Sequence, residues 1–220
     1  MRAWRVLPGE RSELYSPIGL RLLDFMTGDA PLGKSEAFLD VRDGAAWRPT
    51  GIQAVRSLSG VVAYPGLERR ADVSGPPRRY RVRIAAELYR PLYQAKDEGI
   101  EFDAFPWNDT NPPRSTPLAP EDVTLAPAPS YPFPSQVPVV RGRVVGPTGK
   151  PVADAEVFDV TVPLRQVLSD ERGEFALPLA QVAFGVRVTV EAKNQRSGRS
   201  GSIQITLPAD LGHSLTIVIP

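Results

Sequence analysis

The stretch VLSDERGEFALPL, residues 167 to 179, contains a turn followed by a strand. An apolar approach leads into an acidic turn centred on Gly173, and apolar residues then alternate at Phe175, Leu177 and Leu179. A period of two indicates a half-buried strand, and a glycine closing a polar run is typical of a hairpin corner. The stretch therefore predicts a β-hairpin.

The same period of two recurs through most of the chain. Helical spacing is weak, and the best helical candidate, LYRPLYQAKDEG at 88–99, contains a proline that limits it to one or two turns. We predict an all-β protein. The clearest alternating segments are RYRVRI at 79–84, VRVTVE at 186–191, SIQITLP at 202–208 and SLTIVIP at 214–220.

Proline marks the middle of the chain, because ten of the 24 prolines fall within residues 106–138. Proline fixes φ and removes a backbone donor, so this segment is expected to run extended as a connector. Trp107, Leu118, Tyr131 and Phe133 are apolar anchors, and we expect them to order the segment against its neighbours.

The two regions on either side of this segment carry strands and turns in the same order, which indicates an internal duplication. In this interpretation Gly60 and Gly173 have the same hairpin role, and Tyr64 corresponds approximately to Phe175. The sequence predicts two tandem antiparallel β domains. The expected divisions are an N-terminal arm at 1–16, a degenerate sandwich at 17–126, a proline-rich linker at 127–138 and a second sandwich at 139–220.

Nine positions of the second half form one pattern, which are Gly142, Gly149, Pro151, Ala155, Val157, Ser169, Asp170, Gly173 and Phe175. In this pattern the second half resembles the carboxypeptidase regulatory-like, or transthyretin-like, domain. Together with the duplication, the resemblance implies two tandem transthyretin-like or immunoglobulin-like antiparallel β-sandwiches. The resemblance implies a Greek-key sandwich of about seven strands that is non-catalytic and serves stability, docking or adhesion. The first half resembles a degenerate copy, in which RDGAAWRPTGIQAVR, 42–56, departs from the pattern.

The arrangement of two such domains around a proline-rich connector is similar to accessory proteins of contractile phage-tail-like particles. No residue motif carries this second resemblance. It implies a structural component of such a particle.

The charge balance, the cysteine content and the apolar runs of the sequence exclude several classes of partner and chemistry. The chain has 26 Lys and Arg against 25 Asp and Glu, so no net field draws in nucleic acid. Cysteine is absent, which excludes disulfides and thiolate chemistry. The sequence shows no signal-peptide pattern and no apolar run long enough for membrane insertion. We expect a cytoplasmic protein, or one incorporated from the cytoplasm into a phage-like particle.

The acidic turn has two interpretations. Asp170, Glu171 and Glu174 offer carboxylates to a cation, but successive strand residues point to opposite faces, and calcium takes six or more oxygens. Asp170 as the acceptor of an Asx-turn, with Gly173 at positive φ, is the favoured interpretation.

His213, the only histidine, is a weak catalytic candidate. A hydrolase would need a nucleophile and a carboxylate beside it, and no nucleophile elbow is present. A solvated loop histidine is favoured, and we expect no catalytic site, metal or cofactor.

The segment WNDTN, 107–111, is the candidate sugar-binding loop. Trp107 offers a stacking surface, and Asn108 and Asp109 offer hydrogen bonds to hydroxyls. Structural anchoring by Trp107 is the favoured interpretation, and a glycan stays the alternative partner.

Arg79, Arg81 and Arg83 form a ladder with a spacing of about 7 Å on one face of a strand. The ladder and its neighbours have few acids nearby in the sequence, which favours contact with phosphates or an acidic protein. Nucleic acid is not expected, because aromatic residues do not interleave with the arginines. The neighbouring arginines are Arg69, Arg70, Arg78 and Arg90.

The leading functional hypothesis is a structural adaptor that docks onto a larger assembly or forms a homo-oligomer. The arm supplies Trp4, Leu7 and Tyr15 without the periodicity to fold alone, so it is expected to order on a neighbour. The second hypothesis is a carbohydrate-binding or adhesion module, which requires an exposed Trp107 or Trp47. The third is a hydrolase or enzyme accessory domain around His213.

Overall fold

The computed structural model describes residues 14–113, 119–163, 165–179 and 185–220, and the protein is all-β, as predicted. The first nine strands are β1 Gly19–Asp24, β2 Ser35–Asp43, β3 Ala46–Pro49, β4 Val55–Arg56, β5 Val61–Ala63, β6 Arg78–Ala86, β7 Tyr89–Pro91, β8 Ile100–Ala104 and β9 Glu121–Pro127. The next seven are β10 Val139–Val145, β11 Glu156–Asp159, β12 Gln166–Leu168, β13 Glu174–Pro178, β14 Arg187–Asn194, β15 Arg199–Thr206 and β16 Leu215–Val218.

Helix is confined, within the described ranges, to two 3-10 turns at Leu92–Ala95 and Ala209–Gly212. The first lies in the segment where the sequence allowed one or two turns, directly after Pro91. No helix in these ranges has the length and apolarity that a membrane span needs.

The second half is a sandwich of a three-stranded and a four-stranded sheet. The strand orders are β13-β10-β16 and β12-β11-β14-β15. All pairs are antiparallel except β10 with β16, which is parallel. These seven strands agree with the number that the family resemblance implies.

The first half repeats this pairing. Strand β1 pairs antiparallel with β5 and parallel with β9, as β10 does with β13 and β16. Strand β2 pairs with β3 and β6, and β6 pairs with β8, as β11, β12, β14 and β15 pair in the second half. The strand β7 is an addition that pairs with both β6 and β9, so the two layers join into one nine-stranded sheet.

The hairpin corners show the duplication at atomic detail. Gly60 and Gly173 have φ of 82° and 76°. The carbonyls of Ser57 and Asp170 accept the N–H of these glycines at 2.9 Å in both turns. The side-chain oxygens of the same two residues accept the first N–H of the next strand, at 3.1 and 2.8 Å. The prediction that both glycines have one role is confirmed.

The register corrects one equivalence. Phe175 lies two residues after Gly173, and the residue two after Gly60 is Val62, which pairs with β1 as Phe175 pairs with β10. The counterpart of Phe175 is therefore Val62 and not Tyr64. Tyr64 was matched to Phe175 because both are aromatic. Aromatic character does not identify the equivalent position, because Val62, Tyr64 and Phe175 are all buried in a core.

Two hydrophobic cores form, one in each half. The second core contains Val144, Val157, Phe175 and Ile217, and the first contains Leu20, Val82 and Leu125 among others. The alternating residues Tyr80, Val82 and Ile84 all face the first core, as their period predicts.

The proline-rich segment is anchored to the first core. Tyr131 is buried there, and its hydroxyl donates to buried Asp24 at 3.0 Å, beside a 2.7 Å bond from Tyr89. Phe133 packs edge-on against Tyr131. Leu118, the other anchor expected in this segment besides Trp107, lies outside the described residues. The domain limits drawn from the sequence stay predictions.

The two halves touch through polar contacts. Arg90, on β7 of the first half, forms a half-buried ion pair with Asp154 at 2.6 Å. Arg196 donates to the carbonyl of Gln94, and Arg141 donates to that of Pro129. These bonds fasten the second half onto the β7 side of the first.

Candidate docking surface

The arginine ladder lies on the outer face of β6, with its neighbours β2 and β8 on either side. Asp40 on β2 stands directly opposite Arg81 in the register and accepts from it at 2.9 Å and from Arg83 at 2.7 Å. Glu98 also pairs with Arg81, at 2.6 Å. Arg79 pairs with Glu101 and Asp103 at 3.2 and 3.1 Å.

The expectation that these arginines have few acids near them is therefore wrong. The carboxylates come from strands distant in sequence, which the sheet places beside β6. Arg81 is itself buried, because the carboxylates of Asp40 and Glu98 hold it against the sheet. The other four arginines of the group also have acidic partners, which are Asp109 for Arg69, Glu68 for Arg70 and Arg78, and Asp154 for Arg90.

Asp40 is the electrostatic centre of this face. Only 2% of its side chain is exposed. Hydrogen bonds from Arg83 and then from Arg81 hold its pKa below the ordinary value, although burial acts in the opposite direction. The carboxylate of Asp40 is ionised and neutralises the arginines that it contacts. This face therefore has little unpaired positive charge with which to bind free anions.

Aromatic side chains share this face with the arginines. The Arg81 guanidinium lies 4.8 Å from the ring centroid of half-buried Trp47, and that of Arg42 lies 5.2 Å from it. Phe38 is exposed, with Arg83 over its ring at 5.8 Å. The outer face thus presents apolar rings between paired charges.

The edge of β2 next to this face is bare over part of its length. Strand β3 covers β2 only from Asp40 to Asp43. The Leu39 carbonyl accepts from Thr50 at 2.9 Å on the side away from β6. In an antiparallel pair this direction alternates along the strand, so the N–H and C=O of Ala37 also point away from β6. The side chain of Arg56 reaches the Ser35 hydroxyl at 2.7 Å on this edge.

An open groove of about 420 Å³ runs along this bare edge. Its floor and walls include Ala37, Phe38, Ile52, Ala54 and Val62. A second hollow of about 290 Å³, which includes Gly66, adjoins it, because Ile52 lines both. We call the two together the β2 groove.

Exposed apolar side chains gather around the β2 groove. Ile52 and Val55 are 45% and 53% exposed, and Leu58 is fully exposed. Leu14, also exposed, lies near Gly66, which is one of the residues that line the second hollow. A free strand edge surrounded by apolar side chains is typical of a protein-binding site.

The N-terminal arm enters the described structure beside the β2 groove. Tyr15 accepts from Gly66 through its carbonyl at 2.9 Å, and its ring meets Trp107 edge-on at 5.2 Å. Trp4 and Leu7, the other arm residues expected to bind a partner, lie outside the described residues.

The sugar-binding assignment of the 107–111 loop is corrected. Trp107 is 2% exposed and donates its indole N–H to the Leu67 carbonyl at 2.8 Å, so its ring is not open to a sugar. Asn108 closes its own turn, and Asp109 pairs with Arg69. The anchoring interpretation of Trp107 is confirmed.

The turn at Asp170 is a structural corner, as favoured from the sequence. Asp170 accepts the N–H groups of Arg172 and Glu174, both at 2.8 Å. Ser169, fully buried, bonds Val152 and Ala155, which fixes the preceding loop. Across the described ranges, no group of three or more histidines and carboxylates stands close enough to hold a metal ion.

His213 lies in an exposed position after the second 3-10 turn. Its Nδ1 is 3.2 Å from the Ala209 carbonyl. A carboxylate or hydroxyl partner of the kind a hydrolase needs is not among its hydrogen-bond partners in the described structure.

Sequence reasoning missed the β2 groove. Phe38, Ile52 and Val55 were not singled out, although the signal was present in 42–56, the insertion that departs from the duplicated pattern. That insertion forms β3 and β4, which diverge and leave β2 uncovered between them.

Comparison with known proteins gave no family assignment, since no family model and no curated protein match the chain. Solved structures with some similarity include the Bacillus anthracis TIE protein, at 11% identity and a TM-score of 0.29 over 93% of this chain. The chain spans 33% of the length of that protein.

Two pilins show similarity of the same order. A streptococcal ancillary pilin shares 11% identity with a TM-score of 0.27, covering 92% of this chain and 68% of the pilin. The shaft pilin SpaA from Lactobacillus rhamnosus GG shares 12% identity with a TM-score of 0.27, covering 94% of this chain and 98% of the pilin. Similarities this weak carry no argument about what the chain binds.

The cytoplasmic location expected from the sequence is corrected. That location is not proposed again, because the solved structures with some similarity to the chain include pilins and a pilus adhesin.

Proposed function

We propose that the chain is a non-catalytic structural protein that joins a larger protein assembly through the β2 groove. The bare edge of β2 beside exposed apolar side chains is the observation that carries this proposal. A partner strand would satisfy the free backbone groups of Ala37 and cover Phe38 and Ile52 at the same time.

The charges around the β2 groove favour a protein partner over a polyanion. Arg81 and Arg79 are neutralised by carboxylates of the same sheet, so their charge is already used within the chain. Arg83, 40% exposed and lining the groove, is the ladder residue placed to contact a partner. Phosphate or nucleic acid would find little unpaired positive charge there.

Kinship of the second half with carboxypeptidase regulatory-like domains is part of the proposal. The seven strands and the structural roles of Ser169, Asp170 and Gly173 support it. Such a sandwich would act as a scaffold that holds the first half at a fixed place in the assembly.

The proposal names no particular particle. Neither the described contacts nor the comparisons favour a phage-tail-like particle over another assembly. The carbohydrate-binding alternative is not carried forward, because Trp107 is buried, and Trp47 is half-buried with the guanidinium groups of Arg42 and Arg81 over its ring.

The proposal is tested by photo-crosslinking in the cells that make the protein. A photoreactive residue is placed at Val55, beside the groove, or at Val160, in the second half, both being exposed. We expect cross-links to a second protein chain from position 55 only. Ala37→Pro, which removes the N–H that faces the groove, should abolish these cross-links.

Two results would contradict the proposal. One is the absence of any protein cross-link from position 55. The other is equal cross-linking from positions 55 and 160, because non-specific contact would then explain both.

A further inference from the structure

The β2 groove lies at a strand edge that is covered by another strand in the second half of the chain. In the second half, the corresponding edge of β11 is covered by β12, which pairs with Glu156, Val157 and Phe158. In the first half, β3 leaves the edge of β2 from Ser35 to Leu39 without such a neighbour. The duplicated architecture thus shows where an extended segment fits.

Residues 1–13 are the segment of this chain with the right position. They precede Leu14, which lies near Gly66, a residue that lines the hollow next to the groove. Thirteen extended residues span up to about 43 Å, whereas the bare part of β2 needs about 17 Å. The arm is therefore more than long enough to lie along this edge.

The arm also has suitable side chains. In RAWRVL, residues 2–7, the period of two puts Trp4 and Val6 on one face with Arg2, and it puts Arg5 on the other face with Ala3 and Leu7. In an extended arm, the face with Trp4 and Val6 would place these two apolar side chains on the apolar groove. The other face would carry arginine toward solvent or toward Glu36 at the rim.

Exposed side chains beyond the groove indicate that a second copy contributes the arm. Val55 and Leu58 lie on and beside β4, the last strand of its sheet, and a single arm along β2 would leave them in water. The body of a second copy would cover them. In a reciprocal exchange each chain would contribute a 13-residue arm and a groove lined by 13 residues, close to the 20 to 30 residues per side of a stable interface.

We propose that two copies of this chain form a dimer by exchanging their N-terminal arms, each arm binding as an added strand along β2 of the other copy. This inference rests on the proposed function, since it names the partner of the same groove. Reciprocal exchange gives a twofold-symmetric dimer, because each copy contributes one arm and one β2 groove. Both sites are then occupied, and no further copy can add to the dimer.

The test measures the mass of the full-length protein in solution. Size-exclusion chromatography with light scattering should give twice the 24.0 kDa of one chain. Val6→Asp in the arm and Ile52→Asp in the groove should each weaken dimerisation at least tenfold. Val160→Asp is the matched control, because Val160 and Ile52 are both 45% exposed, and it should stay dimeric.

A mixing experiment separates arm exchange from any other dimer. The Val6→Asp chain keeps an intact groove, and the Ile52→Asp chain keeps an intact arm. An equimolar mixture should therefore recover dimers joined through one arm, while each variant alone stays monomeric. Circular dichroism of each variant should match the wild type, which excludes misfolding as the cause.

A monomeric wild type would overturn the inference, whether the arm then binds its own groove or none. A mixture that stays monomeric would overturn it as well. Neither result would remove the proposed function if position 55 still cross-links to a different protein in cells.

Discussion

Replacing the glycine of each duplicated turn by alanine should affect the two halves very differently. Gly60 and Gly173 occupy the same place in the same turn, with nearly equal positive φ. A side chain at this φ costs about 1 kcal/mol in either turn. The backbone cost alone therefore predicts equal losses.

Space around the new Cβ distinguishes the two sites. At Gly60 nothing lies within 4 Å of it, whereas at Gly173 it would collide with the Val144 carbonyl and also meet Pro151 at 3.3 Å. Forcing an atom into such a contact costs a further 1 to 3 kcal/mol, roughly. We expect Gly173→Ala to lose about 3 kcal/mol of unfolding free energy and Gly60→Ala about 1 kcal/mol.

Urea unfolding followed by two signals measures both losses. The three tryptophans all lie at or before Trp107, so their fluorescence reports the first half, while far-ultraviolet circular dichroism reports both halves. With a slope of about 2 kcal/mol/M, Gly173→Ala should lower the dichroism midpoint by about 1.5 M. Equal losses for the two variants, or a loss below about 0.5 kcal/mol for Gly173→Ala, would show that the new side chain at Gly173 meets no steric clash.

Three further substitutions test contacts that the sequence did not predict. Asp40→Asn leaves the buried guanidinium of Arg81 with Glu98 as its only carboxylate, and should cost about 3 kcal/mol in urea unfolding at pH 7; a loss under 1 kcal/mol would contradict the buried pair. Folding lowers the pKa of Asp40 below its ordinary value of 3.8, so the ionised carboxylate stabilises the folded protein fully above that value. This stabilisation is lost as the pH falls through the lower pKa of the folded state. In an acid titration, the free energy of unfolding should therefore fall less for Asp40→Asn than for the wild type. Asp154→Ala removes the ion pair with Arg90 between the halves and should cost about 1 to 2 kcal/mol by thermal melting, and an unchanged melting temperature would count against that contact. Trp107→Phe leaves the carbonyl that its indole N–H bonds without a donor and should cost about 1 to 3 kcal/mol in the fluorescence transition, and a neutral effect would show that this bond adds nothing.

The strands, the two hairpin glycines and the duplication were predictable because they depend on local period and on turn conformation. Alternation at Tyr80, Val82 and Ile84 fixes which face of β6 is buried, whatever the neighbouring strands are. A glycine at positive φ is equally local, so Gly173 could be read as a corner from residues 167–179 alone.

Pairing between distant residues could not be predicted in the same way. The ladder arginines looked unpaired because Asp40 and Glu101 lie far from them in sequence, and only the register of β2, β6 and β8 places them together. Trp107 looked available for a ligand because its acceptor, the Leu67 carbonyl, is forty residues away. The β2 groove depends on where β3 stops pairing, which is a property of the sheet.

Amide hydrogen exchange at residues 35–39 tests most directly whether the edge of β2 binds a strand. We predict that the wild-type protein exchanges the amide of Ala37 at least tenfold more slowly than Val6→Asp does at the same concentration, because an added strand accepts that N–H. Equally fast exchange in both proteins would contradict the account, since the edge would then be open to water.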